Sequence, residues 1–270
     1  MFEVLVSGWQ PFLALTGFLL FWLIESVTPF SRRSGRVRHA ARNLAVAGLN
    51  VLALVFLLSG LTVSVAHATT AQRWGLLSMA PLSPFVKLGL AALALDFWTY
   101  WWHRANHRLP FLWRFHRMHH SDPAMDVTTA TRFHLGEIAL STIARFGLIP
   151  LVGIPLSVIV GYELVLLLST QFHHSNIGLP AGIDRFLQVV IVSPNMHRMH
   201  HSIERVETDS NYSSVLSVWD RLFRSYRAKA DYRQVRFGVA GFSDERSQGF
   251  AGLILTPIGP RIGSQRAIQA

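Results

Sequence analysis

The chain has 270 residues, of which half are hydrophobic and only 15% are charged, well below the roughly 25% charged residues of a typical soluble domain. This balance predicts a membrane protein. The chain has no cysteine, which excludes disulfides, thiolate metal sites and cysteine nucleophiles. We assign the net charge of +10 to loops beside anionic lipid and expect no nucleic-acid partner, because no groove-reading motif accompanies the charge.

The first apolar run, residues 4–24, carries no charge and is long enough for the roughly 20 residues that cross a bilayer. Glu3 precedes the run, and Glu25 and Pro29 follow it. A cleaved signal peptide would instead have basic residues before a shorter core and small residues after it. We therefore expect a retained transmembrane helix.

Two further apolar runs follow, at residues 44–66 and 85–102. The segment before them, residues 31–43, contains five arginines, whereas the loop between them contains one basic residue. Short basic loops lie in the cytoplasm by the positive-inside rule. The arginine-rich segment is therefore predicted to be cytoplasmic, and the run at 85–102 returns the chain to that side.

A fourth apolar region, residues 138–170, is too long for one span. It is interrupted by Arg145, Pro150, Gly153 and Pro155. These breaks predict a helical hairpin or two packed spans whose ends both lie on the cytoplasmic side. The more polar residues 171–270 are expected to form a helical cap.

The expected fold class is an all-α integral-membrane helical bundle, with about three spans plus the broken hairpin and a helical cytoplasmic cap that carries the histidine motifs. We expect three parts. Residues 1–95 hold the N-terminal transmembrane helices, residues 96–235 form a histidine-bearing domain that includes 138–170, and residues 236–270 form a tail.

Histidines cluster where the predicted helices leave the membrane. The clusters are HRANH (His103 and His107), HRMHH (His116, His119 and His120), FHHSN (His173 and His174) and a second HRMHH (His197, His200 and His201). On a helix, residues three and four apart share a face. Imidazole is a common ligand for zinc, iron, copper and nickel, and one ion takes at most four to six ligands. Eight histidines plus one from FHHSN therefore predict two metals.

Membrane anchoring, haem binding and hydrolysis each fit the histidine clusters less well. Interfacial anchoring needs no repeated helical-face spacing, and haem ligands would lie within the spans, which are nearly free of histidine. The HExxH motif of zinc hydrolases and the carboxylate motifs of di-iron bundles are absent from the sequence. Aromatic residues are concentrated before the first cluster, at Phe97, Trp98, Tyr100, Trp101 and Trp102. An all-imidazole site with such walls favours oxidation of an apolar substrate over hydrolysis.

An ordered set of motifs extends over the histidine-bearing region. LDFWTYWWHRANH, FHRMHHS, RFHLGE, FHHSN, SPNMHRMHHS and NYSSVLSVWDRLFRSY occur in this order between about Asp96 and Tyr226. The set resembles the fatty acid hydroxylase and sterol desaturase superfamily, which consists of integral-membrane, non-haem di-iron oxygenases with histidine boxes.

The resemblance implies a set of metal ligands, with His173 as the alternative to His174. The ligands are His103, His107, His116, His119, His120, His174, His197, His200 and His201. It also implies that Asp96 and Asn176 orient the imidazoles, unless they serve in ordinary capping or packing. His134, in an element that often reads RFHPxE, is expected to touch metal or to lie near the substrate mouth. Trp219, Asp220 and Tyr226 are expected to be structural.

The implied reaction is hydroxylation or desaturation of an unactivated C–H bond in a lipid that enters from the bilayer. Its cofactors would be two non-haem iron ions, with O2 as co-substrate. Because no haem-binding segment is fused to the chain, electrons would come from a separate NAD(P)H-linked reductase, ferredoxin or cytochrome b5-like donor. The substrate could be a sterol, fatty acyl chain, sphingoid base, carotenoid or ether lipid. We expect the inner or plasma membrane of a bacterium, with the active site on the cytoplasmic side.

Two other classes of function remain open. One is a membrane metallohydrolase with a dinuclear zinc site, which would need neither oxygen nor a reductant. The other is a non-catalytic lipid-binding or metal-binding membrane protein, which would not need all of the histidine boxes.

Overall fold

The computed structural model describes residues 8–32, 34–54 and 58–259. Within them the chain is helical, with β structure limited to three isolated bridges, so the predicted all-α class is confirmed. The first eight helices are α1 (Gln10–Val27), α2 (Arg36–Leu54), α3 (Gly60–Ala71), α4 (Leu76–Met79), α5 (Pro84–Arg108), α6 (Pro110–His120), α7 (Leu135–Val152) and α8 (Leu156–His174). Shorter helices follow, α9 (Ala181–Leu187), α10 (Pro194–His200), α11 (Arg205–Thr208), α12 (Val218–Leu222) and α13 (Phe250–Ile254), and 3-10 turns lie at Val127–Thr131, Tyr232–Gln234 and Thr256–Ile258.

Among the described residues, three helices are long and apolar enough to cross a membrane, namely α1, α7 and α8. The bent pair Gly60–Met79 and Pro84–Arg108, with an angle of 93°, provides a further candidate crossing. These helices confirm the predicted membrane bundle. The run at 44–66 is divided between α2 and α3, and residues 55–57 lie outside the described part of the chain, as do residues 4–7 of the first run.

The region predicted to be a hairpin or two spans is two helices joined by a tight turn. Gly153 ends α7 with φ of 88°, a left-handed conformation that glycine adopts readily, and its N–H bonds to the carbonyl of Ile149. Pro155 then precedes α8. A methyl group on Gly75 would overlap the backbone of Gly153, so the start of α4 can pack on this turn only with glycine there.

A buried carboxylate joins α1 to the histidine-bearing end of the bundle. Glu25 is 2% exposed and accepts hydrogen bonds from the backbone N–H groups of Val127 at 3.1 Å and Asn176 at 2.7 Å. Arg36 donates to the same carboxylate at 2.7 Å. The ion pair and the hydrogen bonds offset part of the free-energy cost of burying this charge.

A second ionic cluster joins α2 to the segment after α6. His39, expected to be an ordinary surface or core residue, lies between Asp122 at 2.8 Å and Asp126 at 3.0 Å. Burial disfavours the imidazolium, but the two carboxylates outweigh burial and raise the pKa of His39 to about 10. His39 is therefore a cation that connects α2 to the first HRMHH segment.

The C-terminal segment packs on the same end of the molecule. Arg117 donates to the carbonyls of Thr256 and Gly259, and Arg132 donates to Gln248 at 2.8 Å. Residues 260–270 of the expected tail lie outside the described part. The division at 95 and 235 stays a prediction.

Candidate metal centre

All ten histidines of the four clusters are buried, with none more than 9% exposed. They come from four helices. α5 ends at Arg108 and α6 begins at Pro110, so an abrupt turn folds the second cluster back against the first. Ser193 caps α10 by accepting the N–H of Met196 at 3.3 Å, and Pro194 occupies its first turn.

The structure brings nine of these histidines together in two groups. One group contains His103, His107, His116, His120 and His200, and the other contains His119, His174, His197 and His201. We call them the five-histidine and the four-histidine cluster. Each histidine of a cluster offers one ring nitrogen, and these nitrogens all lie within 4.8 Å of one another.

The two HRMHH motifs are divided between the clusters in opposite ways. The first motif gives its residues i and i+4, His116 and His120, to the five-histidine cluster and its residue i+3, His119, to the other. The second motif gives His197 and His201 to the four-histidine cluster and its i+3 residue to the five-histidine cluster. Around the helix axis, residues i+3 and i+4 lie on opposite sides of residue i, so each motif can serve both clusters.

The Nε2 atoms converge within each cluster. In the five-histidine cluster, Nε2 of His120 lies 3.1 Å from that of His107. In the four-histidine cluster, Nε2 of His174 lies 3.0 Å from that of both His119 and His197. Two nitrogens that bind one ion at about 2.1 Å and at right angles are about 3.0 Å apart. The spacing fits a metal ion in each cluster.

Hydrogen bonds on the outer side of the rings set which nitrogen faces inward. The Nδ1 atoms of His103, His200 and His174 lie 2.6–2.7 Å from backbone carbonyls of Tyr212, Ser210 and Thr170, respectively. A carbonyl can only accept, so each Nδ1 carries the proton and each Nε2 directs a lone pair inward. Lone pairs facing one another at 3 Å repel, and a cation between them removes the repulsion. The donor set therefore fits metal binding.

Two carboxylates lie beside the five-histidine cluster. Glu137 accepts from Nδ1 of His116 at 2.7 Å and from Asn106 at 2.9 Å. Asp209 lies 3.6 Å from Nδ1 of His107. Sequence reasoning noted Glu137 in RFHLGE without giving it a role and missed Asp209. Both contacts join segments far apart in the chain, and the only local signal was an acidic residue in the first turn of α7.

Four of the imidazoles on α6 and around α10 are neutral at ordinary pH. Burial, followed by the charge of neighbouring histidines, lowers the pKa of His119, His197 and His201 well below the ordinary value. Burial also lowers the pKa of His200 to about 3, although its bond to Ser210 opposes the shift. Neutral imidazole is the form that binds metal.

His173 and His174 have different environments. His174 belongs to the four-histidine cluster, whereas His173 lies outside both clusters. The His173 ring stands 4.0 Å from the ring of His197, and its side chain lines the adjoining cavity. Of the two alternatives in FHHSN, the structure groups His174 with three other predicted ligands.

Two residues expected to orient imidazoles lie elsewhere, and neither contacts a histidine within the described ranges. Asp96 accepts hydrogen bonds from Tyr162 at 3.0 Å and Trp219 at 2.8 Å. Asn176 forms a pair of hydrogen bonds with the backbone of Ser31. These contacts match the packing role that was left open as the alternative for both residues. Packing between helices, which sequence spacing does not reveal, satisfies both polar groups.

His134 is also placed differently from the expectation. It caps α7 by accepting the N–H of Gly136 at 2.9 Å, and its Nε2 donates to the carbonyl of Ile254 at 3.1 Å. It belongs to neither cluster and is not among the described residues that line the cavity. The ring contacts Phe115 instead, so the histidine of RFHLGE has a structural role here.

Asp220 supports the five-histidine cluster indirectly, through the backbone that contacts His103. Its carboxylate accepts the backbone N–H groups of Tyr212 at 2.8 Å and Ser213 at 3.0 Å. The carbonyl of Tyr212 in turn accepts from His103. Asp220 thus positions the carbonyl that fixes one imidazole.

A cavity of about 170 Å³ adjoins the histidines. Six histidines face it, namely His103, His116, His119, His173, His174 and His197. Its other walls are largely apolar and include Trp98, Trp102, Phe133, Ile138 and Leu166. The other four histidines of the two clusters are not among its described lining residues. The two clusters together, which we call the histidine array, therefore have one side that faces the cavity and one side that does not.

Comparisons with known proteins agree with this arrangement. The family model described as fatty acid hydroxylase matches residues 88–225. Alkylglycerol monooxygenase of Homo sapiens is 28% identical over 217 residues, covering 80% of this chain and 46% of that protein. Ornithine lipid hydroxylase OlsE of Rhizobium tropici is 30% identical over 181 residues, covering 66% of this chain and 51% of that protein. The chain thus spans about half the length of these curated relatives. No solved structure matches the chain.

Proposed function

This chain belongs to the fatty acid hydroxylase family, and from that premise we propose that it is a membrane-bound oxygenase that hydroxylates or desaturates an unactivated C–H bond of a lipid. The observation that carries the proposal is the division of nine buried histidines into clusters of five and four beside an apolar cavity. Such a cavity between candidate membrane spans suits a substrate that enters from the bilayer.

We assign one iron ion to each cluster. When bound, the two ions supply the activation of O2 and the cleavage of the C–H bond, while the protein supplies binding, orientation and exclusion of water. The carbonyls of Tyr212, Ser210 and Thr170 hold three imidazoles in the tautomer that binds metal. Glu137 does the same for His116 and raises its basicity.

The four-histidine cluster is the better candidate for the side where O2 and substrate meet. Three of its members, His119, His174 and His197, line the cavity, compared with two members of the five-histidine cluster. A site with fewer protein ligands also leaves coordination positions open. The walls contributed by Trp98 and Trp102 keep this side apolar and exclude water.

We place the entry of electrons on the opposite side of the array. The ring of Trp113 lies 5.1 Å from that of His107 and is partly exposed at the surface. Asp209, beside the same histidine, is 17% exposed. A separate NAD(P)H-linked donor, such as a reductase, ferredoxin or cytochrome b5-like protein, would deliver electrons here. The ring of Trp113 would then lie between the donor and the proposed ligand His107.

The orientation and the substrate class are part of the proposal. Arg36 at the start of α2 contacts Glu25 at the histidine-bearing end of the bundle, so positive-inside placement puts the metals on the cytoplasmic side of a bacterial inner or plasma membrane. The names of the relatives refer to alkylglycerol and to ornithine lipid. They support an ether lipid or another polar lipid ahead of sterols, sphingoid bases and carotenoids.

The test is oxygen-dependent oxidation of membrane lipid by the iron-loaded full chain in mild detergent, with a reductant supplied. The wild type is compared with His120→Ala, from the five-histidine cluster, and with His67→Ala, an exposed histidine outside both clusters. We expect an oxidised lipid from the wild type and from His67→Ala, and none from His120→Ala. A hydrolysed lipid, formed equally without oxygen and without reductant, would instead indicate the dinuclear zinc hydrolase and overturn the oxygenase.

A further inference from the structure

An ion pair lies within the candidate membrane spans, away from the metals. Nη1 of Arg145 on α7 donates to Oε1 of Glu163 on α8 at 2.9 Å. The side chains are 17% and 2% exposed, respectively. Ionisable groups at this depth of a membrane are costly, and they commonly mark substrate or ion sites.

The pair faces the cavity of the candidate active site. Arg145 and Glu163 both line it, as does Ser141, one turn before Arg145 on the same helix face. A guanidinium carries five N–H donors, and within the described part of the chain Arg145 uses one of them, toward Glu163. Its side chain lines the cavity and is not fully buried, so its other donors can reach a molecule bound there.

The pair stands at a defined distance from the metals. Arg145 follows Glu137, the partner of His116, by eight residues, which is about 12 Å at 1.5 Å per helical residue. Glu163 precedes His174 by eleven residues, or about 16 Å. If the reacting carbon of a lipid lies at the histidines, the lipid atom that contacts the ion pair is roughly 12–16 Å from that carbon.

The chemistry of the pair selects the group that it can hold. A buried ion pair is often no more stabilising than apolar side chains of similar size. The stability of the fold therefore does not by itself explain why an ion pair lies in the cavity wall. Arg145 can only donate hydrogen bonds, which calls for an oxygen acceptor. A neutral hydroxyl, ester or amide oxygen can accept such a bond, whereas a full anion would add a large desolvation cost.

We propose that Arg145, held in place by Glu163, binds a neutral oxygen atom of the lipid substrate about 12–16 Å from the carbon that reacts. The inference rests on the proposed function for the position of that carbon. It narrows the substrate class to lipids that bear an oxygen function along or at the end of the chain, in preference to plain hydrocarbon chains.

The test compares binding of three probes to the metal-loaded full chain in maltoside detergent. The probes are the plain octadecyl ether of glycerol and the same ether with a hydroxyl near the middle or at the end of the chain. The wild type should bind at least one hydroxylated probe about tenfold or more tightly than the plain ether, as expected for a hydrogen bond to a charged group. Probe displacement is measured directly, without turnover.

The key variant is the double substitution Arg145→Met with Glu163→Gln, which removes both charges and leaves no orphan carboxylate. We expect it to bind all three probes equally while retaining the wild-type metal content. Arg145→Lys, which keeps the charge but not the planar fork of donors, should retain only part of the preference. The matched control is Arg236→Met with Glu204→Gln, at an exposed ion pair on the cap, and it should keep the full preference.

Three results would overturn the inference. They are equal binding of the probes by the wild type, a preference that survives the double substitution, and a preference that the control pair also abolishes. The test separates this inference from the proposed function, since a wild type that shows the binding preference but oxidises no lipid would refute the oxygenase alone.

Discussion

The five-histidine and the four-histidine clusters are built from the same motif but are held in different ways. In the first, Nδ1 atoms bond to the carbonyls of Tyr212 and Ser210 and to Glu137, and Asp209 stands beside a fourth ring. In the second, His174 bonds to Thr170, whereas the Nδ1 atoms of the other three rings have no hydrogen-bond partner among the described residues.

For the proposed metal sites, the difference predicts unequal tasks. Groups that bond to the outer nitrogen of a ligating histidine fix its tautomer and raise its basicity, and their loss commonly costs roughly 10–100-fold in metal affinity. The five-histidine site has more ligands and more of these supports, so it should bind its ion more tightly. The four-histidine site has fewer hydrogen bonds to its outer ring nitrogens. It faces the cavity, where the proposed substrate would meet the reactive ion.

The largest effect is expected from adjacent histidines that serve different clusters. His200→Ala should remove the ion of the five-histidine site, and His201→Ala that of the four-histidine site, because each ring is a member of only one cluster. Each variant should retain about one ion per chain, measured by elemental analysis, and lose oxidation. Loss of both ions in both variants would contradict the assignment of separate sites, whereas His67→Ala should keep both.

A smaller and selective effect is expected at Glu137. Glu137→Ala removes the acceptor for His116 and should weaken metal binding at the five-histidine site by roughly 10–100-fold, with the other site unchanged. Glu137→Gln keeps a neutral acceptor for the same N–H and should weaken binding less. Competition with a chelator measures the metal affinity of each site in both variants. Equal weakening of the two sites would argue against a local role for this carboxylate.

A pH effect is expected from the ionic cluster that supports only the first HRMHH segment. Asp122 and Asp126 raise the pKa of His39 to about 10, above the ordinary value of about 6.5. Protonated His39 therefore stabilises the fold fully below pH 6.5, and this contribution is lost as the pH rises through 10. His39→Gln leaves two buried carboxylates without their cation, which commonly costs roughly 3–5 kcal/mol.

Unfolding of the wild type and His39→Gln by denaturing detergent, followed between about pH 6 and pH 10, checks this effect. The stability difference between the two proteins should be largest near pH 6 and should shrink as the pH rises toward 10. A difference that does not change with pH would show that His39 acts by packing alone. His67→Gln again serves as the exposed control.

Much of the helical framework and the grouping of the histidines could be predicted from the sequence because both depend on local spacing. Apolar runs of sufficient length predicted the candidate spans α1, α7 and α8, and the i, i+3, i+4 pattern of HRMHH predicted rings that lie close together on a helix. Partners across long sequence separations could not be predicted in this way. The contact of Asp209 with His107, and the use of Asp96 by Tyr162 and Trp219, depend on how distant helices pack.

The central claim is that the chain holds two metal ions in unequal sites. The most direct measurement is anaerobic calorimetric titration of the metal-free full chain with ferrous iron. The account predicts two ions per chain, bound in two steps of distinct affinity, with the tighter step lost in His200→Ala and the weaker step lost in His201→Ala. A single ion per chain, or two ions of indistinguishable affinity, would contradict it.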